Sequence, residues 1–427
     1  MIGYSATSQT LTYKKVDSIT YFQFTNLQYD SLAITGQQAL SQEIDFYYLR
    51  MRMGISYYNN KKYEQALPHF IRAYGMNPAD STLQEYLYYT YLFSGKEVEA
   101  ILFAKNVSSS MKQKIGFKKN YIEYIAIGGG GSSNNNIANA EKKDITGTEN
   151  IYGAGMFQGR IAFGNFCLQH TLYSRLKLVY GVSVFNIKSL GIVQTADTTV
   201  KTNFSNTHTQ YNFGASYQLK KGWNVSLGIG YFQQSISSFY GIYDTVLGNY
   251  QFKSENTIQR SMAGSLGVSK QMKCIKPSIH FSYSNFNNTK QYQGEAALVY
   301  YPFGNVNFYS ISSVALINDD MENRLIYAQK FGGKILKWLW AEAKVSYGNH
   351  TNYSTQSGFL TYNTANPVKL IFGADLKFYW KQLEISPGYR YLQCEGNYLY
   401  YDTFTTFKTV NYNYSNHLLT TSLKWNF

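Results

Sequence analysis

From about residue 119 to the carboxyl terminus, apolar and polar side chains alternate with a period of two. In residues 223–231, Trp223, Val225, Leu227, Ile229 and Tyr231 share one face, and Asn224, Ser226, Gly228 and Gly230 share the other. Residues 277–284 set Pro277, Ile279, Phe281 and Tyr283 against Ser278, His280, Ser282 and Ser284. Such alternation predicts strands with one apolar face and one small, polar face. The last ten residues, LLTTSLKWNF, end the pattern with Leu423, Trp425 and Phe427 on one side and Ser422, Lys424 and Asn426 on the other.

Residues 119–427 parse into fourteen strands: 121–131, 157–172, 176–193, 204–219, 223–240, 252–270, 275–288, 290–301, 306–317, 322–335, 338–350, 367–379, 382–400 and 410–427. Connections after even-numbered strands are short, as at Tyr173-Ser174-Arg175, Lys220-Lys221-Gly222, Leu336-Lys337 and Trp380-Lys381. Those after odd-numbered strands are mostly longer and polar, the longest covering 131–150 and 348–367. Short turns at one end and long loops at the other are the signature of a transmembrane β-barrel, in which the apolar face meets lipid. An even count places both barrel ends on the short-turn, periplasmic side. Strands 223–240 and 382–400 exceed the roughly 11 residues that cross the apolar band and are expected to project beyond it.

Before residue 119 the period is helical. In FYYLRMRMGISYYNNKKYEQALPHFIRAYGMNPAD (46–80), Gly54, Tyr57, Ala66, Phe70, Ala73 and Pro78 take the spacing of a 34-residue helical repeat. Small Gly54 and Ala66 let two antiparallel helices cross closely, Tyr57, Phe70 and Ala73 fill the seam, and Pro78 ends the second helix. A second unit follows 34 residues later, with Tyr91 matching Tyr57 and Ala100 matching Ala66. Helical patterns cover 83–94 and 97–107, and one further helix is expected at 31–42. The concave face of such an array is expected at Tyr48, Met51, Ile55, Tyr58, Thr82, Glu85 and Tyr89.

Composition fits this division. Aromatics are 17% of the chain, with 42 Tyr against 6 Pro, yet mean hydropathy is −0.32 and no run reaches the length of a transmembrane helix. The net charge of +14 invites a nucleic-acid reading, but Lys and Arg gather at turns, as in YQLKKGW, KQMKCIK and KILKW, and suit an anionic lipid surface instead. Cys167, Cys274 and Cys394 have neither metal nor redox spacing. Residues 1–8 read as the tail of a signal peptide with cleavage before Gln9, leaving a helical domain at 9–118 and a barrel at 119–427. The fold class is therefore α+β multidomain, a short α-helical domain followed by an antiparallel transmembrane barrel.

Candidate chemistry is sparse. His69, His170, His208, His280, His350 and His417 form no metal-ligand pattern, and GGGG at 128–131 lacks the Lys-Ser/Thr of a phosphate loop. No catalytic residue, metal or cofactor is expected. An envelope hydrolase would require a Ser or carboxylate in reach of His350 or His417 near the outer rim, where Asp319-Asp320 also lies. The inward faces of the last strands carry both signs of charge: Arg324, Lys330, Glu342, Lys344, Lys369, Asp375, Lys377, Glu384 and Arg390. These are expected to pair across the wall and fill the bore; the alternative is a selectivity zone for a polar solute.

The stretches DFYYLRMRMGISYYNNKKYEQALPHF and EYLYYTYLFSG with the terminal SLKWNF resemble Bacteroidota outer-membrane proteins that join tetratricopeptide repeats to a barrel, the YaiO-like group. The resemblance implies a Gram-negative outer-membrane location with helices and carboxyl terminus in the periplasm. It implies contacts with lipid and lipopolysaccharide, a protein partner on the repeats, and barrel-assembly machinery that reads Leu423, Trp425 and Phe427. It leads to the expectation of a non-enzymatic scaffold in an envelope complex for secretion or barrel assembly. Alternatives are a conduit for a polar solute or exopolysaccharide and, last, a lipid-modifying enzyme or protease.

Overall fold

The computed structural model describes residues 11–117, 121–146, 151–173, 175–219, 222–286, 289–319, 322–355, 360–362, 366–401 and 406–427. Residues 1–8, expected to be a signal-peptide tail, the turn residues Ser174, Lys220 and Lys221, and Asp320 lie outside them. The chain divides into two compact units: Met1–Lys119 with Gln271–Ile275 and Tyr301–Phe308, and the remainder.

Among the described residues the first unit holds seven helices: α1 (Tyr13–Thr25), α2 (Tyr29–Ser41), α3 (Tyr47–Asn59), α4 (Tyr63–Met76), α5 (Ser81–Phe93), α6 (Glu97–Asn106) and α7 (Ser109–Lys114). Helices α1, α3 and α5 begin 34 residues apart, and so do α2, α4 and α6. The pattern therefore runs through three helix pairs, where the sequence predicts two pairs and a flanking helix. Helix α1 gives no such signal in the sequence because it buries only Val16 and Thr20 and leaves Tyr13, Tyr21 and Phe22 exposed, which blurs its apolar face. A Cβ on Gly54 would lie 2.5 Å from the Phe70 ring, so only glycine lets α3 and α4 approach this closely. Ala66, Phe70 and Ala73 are fully buried, Tyr57 nearly so, and Pro78 follows α4 at the surface. His69 stacks on Tyr57 at 5.5 Å beside the Arg50–Asp45 ion pair. Burial first, and then the Arg50 charge, push its imidazole pKa down to about 4.

The second unit is a closed antiparallel barrel of fourteen strands. They are β1 (Ile122–Ser133), β2 (Tyr152–Tyr173), β3 (Leu176–Thr195), β4 (Thr199–Gln218), β5 (Trp223–Asp244), β6 (Asn249–Lys270), β7 (Ile275–Phe286), β8 (Thr289–Tyr300), β9 (Phe308–Asp319), β10 (Asn323–Leu336), β11 (Leu339–Tyr347), β14 (Val368–Trp380), β15 (Leu383–Tyr401) and β16 (Phe407–Asn426). A small hairpin, β12 (Tyr353–Thr355) and β13 (Leu360–Tyr362), interrupts the connection between β11 and β14. The apolar residues of the alternation lie outside: Leu227, Leu266, Ile279 and Phe281 are exposed, whereas Ser265, Ser269, Ser282 and Ser284 are buried inside. That inversion of an ordinary core is what a lipid-facing wall requires. Among the described residues no helix is long and apolar enough to cross a membrane, which says nothing of strands.

The barrel closes between β1 and β16, with Ile127 opposite Leu423 and Ile125 opposite Trp425. The Phe427 amide donates to the Glu123 carbonyl at 3.0 Å, and Leu423, Trp425 and Phe427 are exposed on the outer wall. The glycine run belongs to this seam: a Cβ on Gly130 would meet the Leu419 carbonyl at 2.4 Å. Beyond the end of β1 the wall changes partners. The top of β2 leaves the seam and pairs with β15, Tyr152 opposite Tyr401 and Tyr398 opposite Gly155. A register shift in β2 between Gln158 and Ile161 gives the strand the local bend this needs. The segment 134–146, with the short helix α8 (Asn136–Ala140), covers one face of that upper sheet, burying Ala140 and Ile145 with Phe157, Leu190, Ile192 and Tyr398. Gly153 permits it, since a Cβ there would lie 1.9 Å from the Ile145 carbonyl oxygen.

Candidate functional site: the barrel lumen

The inward positions of β8 to β11 are filled. Segment 349–355 folds into the bore and is tied by backbone contacts. Gln293 donates to the Ser354 carbonyl at 2.6 Å and accepts from its amide at 3.1 Å, Gln291 donates to the Asn352 carbonyl at 3.0 Å, and Arg324 donates to the Thr351 carbonyl at 2.6 Å. Tyr353 packs on Ala315, Ile317 and Ile326. Arg324 also pairs with Asp319. These contacts satisfy irregular backbone at a depth where water is scarce. The sequence gives little signal for this plug beyond Gln291 and Gln293 alternating on an inner face of small residues.

The expected luminal charges sort into pairs. Glu342 accepts from Lys330 and Lys377, each at 2.8 Å, and from Tyr309. Arg390 grips both oxygens of Asp375 at 2.8 and 2.7 Å. Glu384 lies 3.7 Å from Lys424. Lys344 faces a cavity and has no ion-pair partner among the described residues. Lys369 differs from expectation: a register shift between Val368 and Leu370 removes it from the inner row, and it pairs with Glu395 at 3.1 Å. A further cluster absent from the expected set joins Glu123 to Lys177 at 3.0 Å, with Gln169 and Thr171 also donating to Glu123.

The opposite side of the lumen is hollow. A cavity of about 310 Å³ lies among β2 to β4 and β14 to β16. Phe163, Phe185, Ile161, Ile187, Leu392 and Leu418 make its apolar wall, and His208, Gln210, Lys344, Arg390, Asn366 and Asn416 its polar points. Above it is a larger chamber of about 1010 Å³, lined by Tyr152, Met156, Phe239, Tyr240, Tyr243, Tyr250, Leu399 and Tyr401. Asn366 lines both spaces and donates to the Tyr414 hydroxyl at 3.0 Å. The lumen is thus plugged along one side and open along the other, not closed throughout.

Other candidate residues are placed as follows. His350 is fully buried, not an exposed loop residue; its Nε2 lies 2.6 Å from Ser346 Oγ and its Nδ1 2.8 Å from the Val368 carbonyl. The distance a Ser–His dyad needs is present, but both residues are buried and neither lines a described cavity, so a substrate has no approach to Ser346 Oγ. His417 bonds the Tyr389 hydroxyl on the outer wall. Among the described residues no three His, Cys, Asp or Glu are placed to hold a metal ion. In the helical unit, Met51 is in the core and not on an open face, a correction that follows from its contact with the buried cluster around Phe70. Ile55 and Tyr58 pack partly against the same cluster, and Glu85 pairs with Lys114 at 2.7 Å. Tyr89 stacks on Phe93, while Tyr48 and Thr82 remain exposed.

No protein-family profile matches the chain, and no curated protein matches it. Solved structures do. A Pseudomonas aeruginosa FadL homologue aligns at TM-score 0.48 and 9% identity, covering 71% of this chain and 90% of that one. The Pseudomonas putida toluene transporter TodX aligns at TM-score 0.45 and 8% identity, covering 72% and 91%. The monoaromatic hydrocarbon channel CymD aligns at TM-score 0.34 and 11% identity, covering 76% and 92%. At such identity the likeness is one of fold: a closed barrel of the outer-membrane kind with helices at the amino terminus. The expectation of a scaffold is corrected here. The lumen contains two cavities, sharing the lining residue Asn366, that a purely anchoring barrel does not require.

Proposed function

We propose that the chain is a non-enzymatic conduit through the bacterial outer membrane, admitting a small solute from the outer chamber into the lumen. The observation that carries this is the pair of cavities meeting at Asn366. The outer chamber presents mainly Tyr, Phe and Met, and the inner one sets Phe and aliphatic side chains against a few polar groups, a lining suited to a ligand with an apolar body. A volume near 310 Å³ suits one small ligand and is far too small for a polysaccharide chain. The plug at 349–355 and the Glu342 ion cluster then serve as the gate and filter of the remaining bore.

The helical unit is read as three tetratricopeptide-type repeats on the periplasmic side, supported by the 34-residue stepping of its helix starts. The test is solute-dependent swelling of proteoliposomes carrying the full chain, alongside a variant in which residues 349–362 are replaced by a short Gly-Ser linker. Slow swelling for the parent and faster swelling for the variant are expected. A folded variant that admits no more solute than empty liposomes ends the conduit reading.

A further inference from the structure

We infer that the inner cavity is a binding site for a small monocarboxylic acid with an apolar, ring-bearing body and a hydrogen-bond donor beside the carboxylate, as in an aromatic hydroxy acid. The inference rests on the conduit reading and adds the class of ligand.

Three independent features converge. First, Asn416 on β16 lines the cavity and is fully buried, yet neither its Nδ2 nor its Oδ1 has a hydrogen-bond partner among the described residues. Buried amides are nearly always satisfied, so one left open on both sides at a cavity wall marks where a ligand supplies both an acceptor and a donor. A carboxylate supplies the acceptor and a neighbouring hydroxyl the donor. Second, the cavity wall includes Lys344 and Arg390 and no carboxylate. Asp375 neutralises Arg390 with two hydrogen bonds, leaving Lys344 as the uncompensated charge. A cation without a paired carboxylate beside an apolar wall selects an anion and discriminates against a neutral molecule of the same shape. Third, Phe163 and Phe185 stack at 5.5 Å and both face the cavity, a surface on which a ring packs edge or face. The apolar wall argues against a saccharide, which needs hydrogen-bonding groups around its whole rim.

The test uses the full chain in lipid nanodiscs, with binding measured by calorimetry for 3-phenyllactate and for 3-phenyl-1,2-propanediol, its uncharged counterpart. The acid is expected to bind about tenfold or more tighter than the diol, the scale of one hydrogen bond to a charged group. Lys344→Met is expected to abolish that preference, and Asn416→Leu to weaken both ligands. Gel mobility of the folded barrel confirms that each variant is assembled. Equal binding of acid and diol by the parent protein overturns the inference without any variant. So does a preference that survives Lys344→Met. Proteoliposome swelling with the diol separates the two readings: swelling without acid preference leaves the conduit and removes this ligand class, whereas no swelling with any solute removes the conduit itself.

Discussion

Leu266 offers a direct measurement of which face meets lipid. It lies on β6 between Leu227 of β5 and Phe281 of β7, and all three point outward. It lies four positions before Lys270, where β6 ends and the Lys270 ammonium sits 4.8 Å over the Trp223 ring in the interfacial belt. A tilted strand climbs roughly 2.5 Å per residue along the membrane normal, so Leu266 lies about 10 Å above that belt, near the middle of an apolar band about 25 Å tall. Arginine at the midplane of an outward barrel position costs about 2–4 kcal/mol, falling to about 0–1 near the interface. Leu266→Arg is therefore expected to destabilise the barrel by about 2–4 kcal/mol. Leu219→Arg, at the short-turn end of the same wall, is expected to cost less than about 1 kcal/mol. Reversible guanidinium unfolding in phospholipid vesicles, followed by tryptophan fluorescence, measures both. Equal costs at the two depths, or a cost below about 0.5 kcal/mol at Leu266, would refute the membrane placement of this wall.

Three further outcomes are expected. His69 is neutral in the folded helical unit with a pKa near 4, while the unfolded chain takes up a proton below about 6.5, so stability is complete above 6.5 and falls as pH drops towards 4, by up to about 3 kcal/mol. Thermal melts of the helical ellipticity should show that slope in the parent and lose it in His69→Gln; a slope that persists would reject the assignment. Gly54→Val should cost about 1–3 kcal/mol in the same melts, because its Cβ would overlap the Phe70 ring. Glu342→Gln leaves Lys330 and Lys377 without their shared countercharge, so bilayer reversal potentials should move towards anion selectivity. Because both lysines are partly exposed, the accompanying loss of stability should be about 1–2 kcal/mol. An unchanged reversal potential would mean that ions bypass this cluster.

The barrel was legible because its wall is repetitive. Each of the fourteen strands in residues 119–427 reappears, with bounds shifted mostly by a few residues, since every strand faces the same two environments and the period of two is enforced along its length. The helical stepping was half legible: α3 and α4 pack tightly enough to demand Gly54 and Ala66, whereas α1 buries only Val16 and Thr20 and demands little. What the alternation hides is anything that enters the bore. Segment 349–355 has no period and is held through its own backbone by Gln291, Gln293 and Arg324, side chains that would read the same way facing water. The re-pairing of β2 with β15 is equally silent, because it depends on where β1 stops and not on any residue that announces a new partner. Lys369 was misplaced for the same kind of reason: one shifted residue in a ladder reverses every later facing, and a shift cannot be counted from composition.

The two sides of the lumen solve opposite problems, and that asymmetry favours a conduit over a plain anchor. Along β8 to β11 an irregular segment lies deep in the barrel, and its carbonyls and amides meet Gln and Arg side chains one by one. A wall able to supply that many partners is able to fill the whole bore. Along β2 to β4 and β14 to β16 it does not: the stacked Phe163 and Phe185, Ile187 and Leu418 line an open cavity, and Asn416 is left without a partner in a place where filling would be easy. Apolar side chains facing an internal void lose dispersion contacts, and an unsatisfied buried amide adds to that cost. A barrel needed only for anchorage gains nothing from such a cost. One that must take up a ligand and release it does, because the open contacts are the ones the ligand completes.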